Sequence, residues 1–291
     1  MQPGKIQVSI ITPVYNAEKF IERCVESVQR QGHSSYEHLI IDGNSTDNTV
    51  ALVRKYMSAD ANIRLVTEKD EGVYDAMNKA VLLAEGQWLY FLGADDYFYS
   101  DKILARIALT LSSSHAEIVY GNVWLEQSAR IYDGVFGIEK LLKRNICHQA
   151  IFYRSSVFAT MGLYNTDYTQ EGDYEFNLRC WIKGAVVSKF INETIAFYSK
   201  GGISSFQKDS ALVKDFPDIV IGYLFESKRS FFSKVNILSK VFRKIFLRYG
   251  VKKFGIVFLK NNNYRIKILA FAWMIISFPV YFINSFIFAR K

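Results

Sequence analysis

The stretch Gly86-Gln-Trp-Leu-Tyr-Phe-Leu-Gly-Ala-Asp-Asp96 constrains the fold of this chain more than any other. Its residues 88–92 form an unbroken apolar run, rich in aromatics and bounded by glycines, which reads as a strand buried on both faces. Such strands belong to sheets covered by helices on either side. The run leads into two carboxylates, Asp95 and Asp96, at the strand-to-loop edge where open α/β sheets bind their ligands. Adjacent carboxylates there suit a hard divalent cation, whose shell needs further oxygens such as those of a diphosphate. An Asp at a strand end also serves as a plain turn cap that accepts backbone amides, and the pair alone does not separate the two uses.

The preceding residues repeat the strand-loop-helix pattern. Residues 8–12 read as a buried strand, broken by Pro13-Val-Tyr-Asn16 ahead of an amphipathic helix over 18–31 whose buried face carries Ile21, Val25 and Val28. A second strand over 36–42 ends on Asp42. The turn after it offers Ser45 as an N-cap and Asp47 as a partner for the helix dipole. A third strand over 63–67 precedes a helix over 73–84. This alternation predicts an α/β, doubly wound and mostly parallel sheet flanked by helices. Its loops hold neither GxGxxG nor GxxxxGK[ST], which argues against a nicotinamide-dinucleotide site and a P-loop.

Four segments taken together, in this order and at this spacing, resemble the nucleotide-sugar half of bacterial family 2 glycosyltransferases: Val8-Ser-Ile-Ile-Thr-Pro-Val-Tyr-Asn16, Ile41-Asp-Gly-Asn-Ser-Thr-Asp-Asn-Thr49, Glu71-Gly-Val-Tyr-Asp-Ala-Met-Asn78 and Phe91-Leu-Gly-Ala-Asp-Asp96. The resemblance implies a Rossmann-like GT-A fold and an inverting glycosyltransferase. It places Thr12, Pro13, Tyr15, Asp42, Asp70, Asn78 and Asp95 on a nucleotide-sugar donor, and Asp96 on Mn²⁺ or Mg²⁺ held against the diphosphate. The chain departs from the family at one point. Many members carry two acids after the second strand, and here Gly43 stands where the second would be.

Downstream, the pattern predicts a helix over 102–112, a strand over 117–125, a loop with a short helix over 133–145, and a strand over 147–154 with a polar entrance. His148 at that entrance reads either as a contact to acceptor or donor diphosphate or as a buried histidine satisfied by backbone. Cys147 has no paired base and reads as packed rather than nucleophilic. Acids at the start of a helix are ordinarily caps or dipole partners, the reading kept for Glu171 and Glu175. By resemblance, Asp173 occupies the family's general-base position. A carboxylate suits that task because the acceptor hydroxyl sheds its proton as it attacks the anomeric carbon. Strands over 185–190 and 194–198 follow, then a 201–204 loop that closes over the donor or is plain linker, and a helix over 208–225.

Composition changes near Ser227. Of 36 Lys and Arg, 14 lie beyond it with no acid, leaving 22 against all 28 Asp and Glu in the rest of the chain. The apolar residues interleaved with this charge over 228–248 favour an anionic membrane over nucleic acid. Residues 268–289 are 22 in a row without a charge, enough to cross a bilayer core. Pro279 within them fits a kinked span or a re-entrant hairpin. Three widely spaced cysteines without CxxC suggest reduced thiols, and the first residues lack a signal-peptide pattern. The expected organisation is a catalytic domain over 1–205, with a nucleotide-sugar half over 1–100 and an acceptor half over 101–205, followed by a helical, membrane-associated tail over 206–291. The expected activity is transfer of one sugar to a lipid-linked saccharide at the cytoplasmic face of the bacterial inner membrane, in surface polysaccharide or lipopolysaccharide assembly. The Gln-x-x-Arg-Trp motif of processive members is absent. A sugar nucleotidyltransferase and a non-catalytic membrane partner are the other two classes. The first lacks its Gly-rich basic loop after the first strand, and retention of Asp95, Asp96 and Asp173 together speaks against the second.

Removing residues 268–291 is expected to leave a chain that sediments with anionic vesicles at low salt and is released at high salt, because screening weakens what remains. Removing everything after Ser227 should abolish that sedimentation; a full-length chain that ignores vesicles would overturn the assignment.

Overall fold

The computed structural model describes residues 6–33, 35–184, 186–199, 209–230 and 232–241. Its first half follows the alternating pattern: β1 (Val8–Val14), α1 (Ile21–Gln29), β2 (Tyr36–Asp42), α2 (Thr49–Met57), β3 (Ile63–Thr67), α3 (Val73–Leu83) and β4 (Trp88–Phe91). Then come β5 (Tyr97–Phe98), α4 (Ile103–Ser113), β6 (Ile118–Leu125), β7 (Arg130–Tyr132), α5 (Ile138–Leu141), β8 (Ile151–Arg154), α6 (Ser155–Met161), α7 (Gly172–Lys183), β9 (Ser188–Tyr198) and α8 (Ser210–Glu226).

The strands form one sheet in the order β3-β2-β1-β4-β8-β6-β9-β5, with β7 beside β6. The expectation of a mostly parallel sheet holds only in part. β3, β2, β1 and β4 run parallel. β8 then turns antiparallel to both β4 and β6, β7 and β5 are antiparallel to their neighbours, and β9 runs parallel to β6. Parallel neighbours need a crossover, and α1, α2 and α3 supply one for each step of the first half. The result is a mixed α/β sheet with β4 at the join.

β4 is wholly buried and organises packing on both faces. On one, Tyr90 stacks on Phe152 at 4.5 Å and Phe98 at 5.2 Å, with Trp88, Ile103 and Ile107 around it. On the other, Phe91 meets Tyr153, Phe158 and Tyr164 edge-on. Each such ring removes enough apolar surface from water to contribute about 2–3 kcal/mol. The polar tips are satisfied: Trp88 Nε1 donates to the Leu111 carbonyl at 3.2 Å and Tyr90 Oη to that of Gln149 at 2.9 Å.

Local boundaries depart from the sequence pattern where tertiary partners intervene. α1 begins at Ile21 because the amides of Ala17 and Glu18 are taken by Thr49 Oγ1 and Asp47 Oδ2. α2 begins at Thr49 rather than after Ser45: Ser45 Oγ instead accepts the Asn16 amide, and Asp47 Oδ1 accepts that of Thr49. The polar entrance at 148–150 is a 3-10 turn, so β8 starts at Ile151. The two strands expected over 185–198 are one, β9, whose pairing with β6 shifts register between Tyr120 and Val123.

The chain divides into two compact units, residues 1–181 with 185–213, and residues 182–184 with 214–291. In the second, Lys183 Nζ pairs with Glu226 Oε2 at 2.6 Å and Arg229 Nε donates to the Ile182 carbonyl at 2.8 Å. Among the described residues no helix is long and apolar enough to cross a membrane. The 201–204 loop, the basic stretch from 242 onward and the 268–289 segment lie outside the described residues.

Asn78, assigned by resemblance to the donor, clamps two parts of the first unit. Its Nδ2 donates to the Tyr164 carbonyl at 3.0 Å and its Oδ1 accepts the Tyr164 amide at 2.9 Å. Asn78→Ala should therefore destabilise the fold by about 1–3 kcal/mol, two intramolecular hydrogen bonds being lost. Chemical denaturation checks this, and unchanged stability with lost nucleotide binding would restore the donor role.

Candidate active site

A cleft of about 710 Å³ opens in the first unit at the carboxyl ends of β1 and β4. Its wall is built from the end of β1 and the following loop, the start of α3, the 93–96 turn, the 145–149 segment and the start of α7. Five carboxylates face it, those of Asp70, Asp95, Asp96, Glu171 and Asp173, together with the imidazole of His148. Among the described residues lining it there is no Lys or Arg.

Asp96 is only 2% exposed. Its Oδ1 accepts the Ser199 amide at 2.8 Å, and its Oδ2 accepts Gln149 Nε2. Burial, reinforced by the charge of Asp95, pushes its carboxyl up to about 7, against which these two donors work. Asp95 differs. Its Oδ2 is buried without a hydrogen-bond partner, while its carbonyl accepts Arg23 Nη2 at 2.7 Å. Arg23 in turn lies 4.1 Å over the ring of Tyr97. The residue expected on a metal, Asp96, is thus already held by two N–H donors, and the oxygen left unpartnered belongs to its neighbour. Each Asp96 oxygen keeps a second lone pair. Two hard carboxylates, one with an orphaned oxygen, fit a divalent cation. Among the described residues no cluster of three or more ligating side chains is assembled, so substrate oxygens and water would have to complete the shell.

Asp173, on the first turn of α7, is held from two sides. Tyr74 Oη donates to its Oδ1 at 2.9 Å and Asn145 Nδ2 to its Oδ2 at 2.6 Å. Burial, with the Asp173 charge beside it, holds the Tyr74 phenol well above its usual value, so it stays a donor. The residue before Asp173 makes this approach possible: a Cβ at Gly172 would sit 2.9 Å from the Tyr74 ring. His148 Nδ1 lies 3.7 Å from Asp173 Oδ2. Burial alone would strip the imidazole of its proton, but Asp173, then Asp96 and Asp95, outweigh it and shift the group upward. Cys147 is held as a thiol by burial and the Asp96 charge, in keeping with a packing role.

Of the residues assigned to the donor by resemblance, Pro13, Tyr15, Asp70 and Asp95 line the cleft, Tyr15 being 63% exposed. Thr12, Asp42 and Asn78 do not. Thr12 is buried with its Oγ1 2.9 Å from His38 Nε2, and burial drives His38 down to about 3, so the pair is a neutral core contact. Asp42 is buried and accepts the Ser45 amide. At the departure noted above, a Cβ at Gly43 would lie 2.4 Å from Asp70 Oδ2. Asp70 thus brings a carboxylate to the place a side chain at 43 would take. Glu171 joins the wall, whereas Glu175 pairs with Arg179 at 2.5 Å. Tyr74, Asn145 and Gln149 escaped the sequence reading; Tyr74 lies inside the quoted 71–78 motif and Gln149 follows His148.

Residues 9–157 match the model of the family described as glycosyl transferase family 2. A PGL/p-HBAD biosynthesis glycosyltransferase from Mycobacterium tuberculosis is 39% identical over 214 residues, 72% of this chain and 83% of that protein. The chain belongs to glycosyl transferase family 2. Among solved structures, S. aureus TarS in complex with UDP-GlcNAc superposes with a TM-score of 0.68 at 17% identity, covering 92% of this chain and 80% of that one. The mannosyltransferase PcManGT from Pyrobaculum calidifontis in complex with GDP-Man and Mn²⁺ gives 0.56 at 13%, covering 94% and 87%. These likenesses are of fold, and the fold is GT-A.

The raised carboxyl of Asp96 generates a pH dependence. The folded chain keeps this proton up to about pH 7, whereas an unperturbed carboxyl loses it near 3.8. The native state therefore binds more protons across that window, and the stability so conferred is lost as pH rises through it. A cation requires the ionised form, so its stabilising effect should run the other way, growing as pH rises to about 7 and then levelling. Thermal melts of wild type and Asp96→Asn, with and without Mn²⁺, should show both trends in the wild type and neither in the variant. A Mn²⁺ shift that is the same at pH 5.5 and 7.5 would remove the link.

Proposed function

We propose that this chain is a metal-dependent, inverting glycosyltransferase that moves a single sugar from a nucleotide-sugar donor to a lipid-linked saccharide in cell-surface polysaccharide assembly, at the cytoplasmic face of the bacterial inner membrane. The observation that carries the reading is the pairing, within one cleft, of an acid pair bearing an unpartnered oxygen with a separate carboxylate held by two donors. An acid-lined wall without Lys or Arg among its described residues favours a diphosphate that arrives with a cation. The nucleotide sugars in the TarS and PcManGT complexes, and the Mn²⁺ of the latter, support the donor class and the metal. The biosynthetic setting is supported by the name of the mycobacterial relative, the membrane by the composition after Ser227.

In this mechanism Asp173 accepts the proton of the acceptor hydroxyl as that oxygen bonds to the anomeric carbon. The bond from that carbon to the diphosphate breaks with its electron pair, leaving nucleoside diphosphate, and attack from the opposite face inverts the centre. Tyr74 and Asn145 fix the carboxylate without consuming all its lone pairs. Asp95 and Asp96 would hold Mn²⁺ or Mg²⁺, whose charge, when bound, offsets that of the departing diphosphate. Pro13, Tyr15 and Asp70 border the space left for the nucleoside.

A screen of nucleotide sugars with detergent-purified full-length protein should find one donor that yields nucleoside diphosphate. Asp173→Asn should lower turnover by roughly 10²-fold or more with donor affinity near wild type, since proton removal is lost and binding is not. Normal turnover in that variant would move the base elsewhere, with Glu171 the next carboxylate on the wall. Release of pyrophosphate would instead mark a nucleotidyltransferase.

A further inference from the structure

The cleft wall sets an electrostatic problem that an acid pair and one cation do not solve. Asp70, Asp95, Asp96, Glu171 and Asp173 all face the space, and a nucleoside diphosphate brings more negative charge into it. Charges desolvated together repel far more strongly than in water. Among the described wall residues only His148 can carry a positive charge on its side chain.

Its place on the wall is defined from both sides. Nδ1 lies 3.7 Å from Asp173 Oδ2, and the next residue, Gln149, donates to Asp96 Oδ2. His148 therefore sits on the short stretch of chain that joins the carboxylate serving the acceptor to the acid pair serving the donor. It belongs to the 3-10 turn His148–Ala150, whose middle residue is fixed by the Tyr90 hydroxyl bonding the Gln149 carbonyl. The side chain is 20% exposed and lines the cleft. The same carboxylates that make the wall acidic favour the protonated ring.

We propose that His148 is the protein's own cationic contact to the donor diphosphate, offsetting the charge that builds on the leaving nucleoside diphosphate as the sugar is transferred. This deepens the reading of the cleft as a nucleotide-sugar site and rests on it. The alternative is that the imidazole serves Asp173 alone, as an ion-pair partner that orients the base. The two differ in what they make the ring recognise, a ligand's second phosphate or an internal carboxylate.

The test uses full-length protein in detergent with excess Mn²⁺, and titration calorimetry with UDP, GDP, UMP and GMP. Wild type should bind UDP or GDP in preference to the matching monophosphate. His148→Gln should weaken that diphosphate by about 10-fold or more while changing the monophosphate much less, and His148→Arg should restore most of the loss, because a charge-assisted contact to phosphate needs the positive charge rather than the ring. A melting midpoint near that of wild type certifies the Gln variant, and His148→Asn replaces it if it fails to fold. Diphosphate affinity unchanged in the certified variant, with turnover falling as in Asp173→Asn, overturns the proposal and gives His148 to the base. Wild type that binds no nucleoside diphosphate, with ADP, CDP and dTDP tried after UDP and GDP, overturns the nucleotide-sugar reading itself, a failure visible before any variant is made.

Discussion

The carboxylate of Asp96 follows the central strand, 2% exposed, and takes its two hydrogen bonds from residues far away in the chain. One donor is the amide of Ser199, just past the last strand; the other is Gln149, in the turn before β8. A buried carboxylate without such donors would cost several kcal/mol. Satisfying it draws the second half of the sheet against the first. β8 lies beside β4, and Tyr90 of β4 ties its hydroxyl to the same Gln149. The turn so fixed carries His148 onto the cleft wall. Asp173 arrives from a third direction, on α7, and is caught by Tyr74 of α3 and by Asn145.

How much of this was legible follows from the range of the interactions. β1 to β4 and their helices are specified by local periodicity and by apolar runs that only a doubly covered strand accommodates, and they appear within a few residues of expectation. The second half was less readable. The reversal at β8 and the single long β9 answer to partners dozens of residues away, and no local pattern encodes them. The 3-10 turn at 148–150 resembles a strand entrance in sequence, because its distinguishing contact is made with Asp96.

The site divides in a similar way. Acids at strand and helix ends announce themselves, and Asp95, Asp96, Asp70 and Asp173 all reach the cleft. Thr12 and Asp42 sit on strands that point at the site, yet their side chains turn to His38 and to the Ser45 amide. Asn78 lies within a helix whose neighbour, the Tyr164 segment, is invisible to the local pattern. Tyr74, Asn145 and Gln149 went unread because neutral hydrogen-bonding side chains are common everywhere. Only the carboxylate each one meets makes it part of the site.

The close approach of Asp70 to Gly43 makes those two positions a single unit of sequence change. With a Cβ at 43 only 2.4 Å from Asp70 Oδ2, an acid there and the present position of Asp70 exclude each other sterically and by like charge. Asp70 is also held locally, its Oδ1 accepting the Gly72 amide at 3.0 Å, a contact it would give up on moving aside. A side chain introduced at 43 would require the Asp70 carboxylate to rotate away from its present place. The carboxylate of Asp70 and a side chain at 43 thus compete for one place in the pocket, and a change at either position alters what the other can hold.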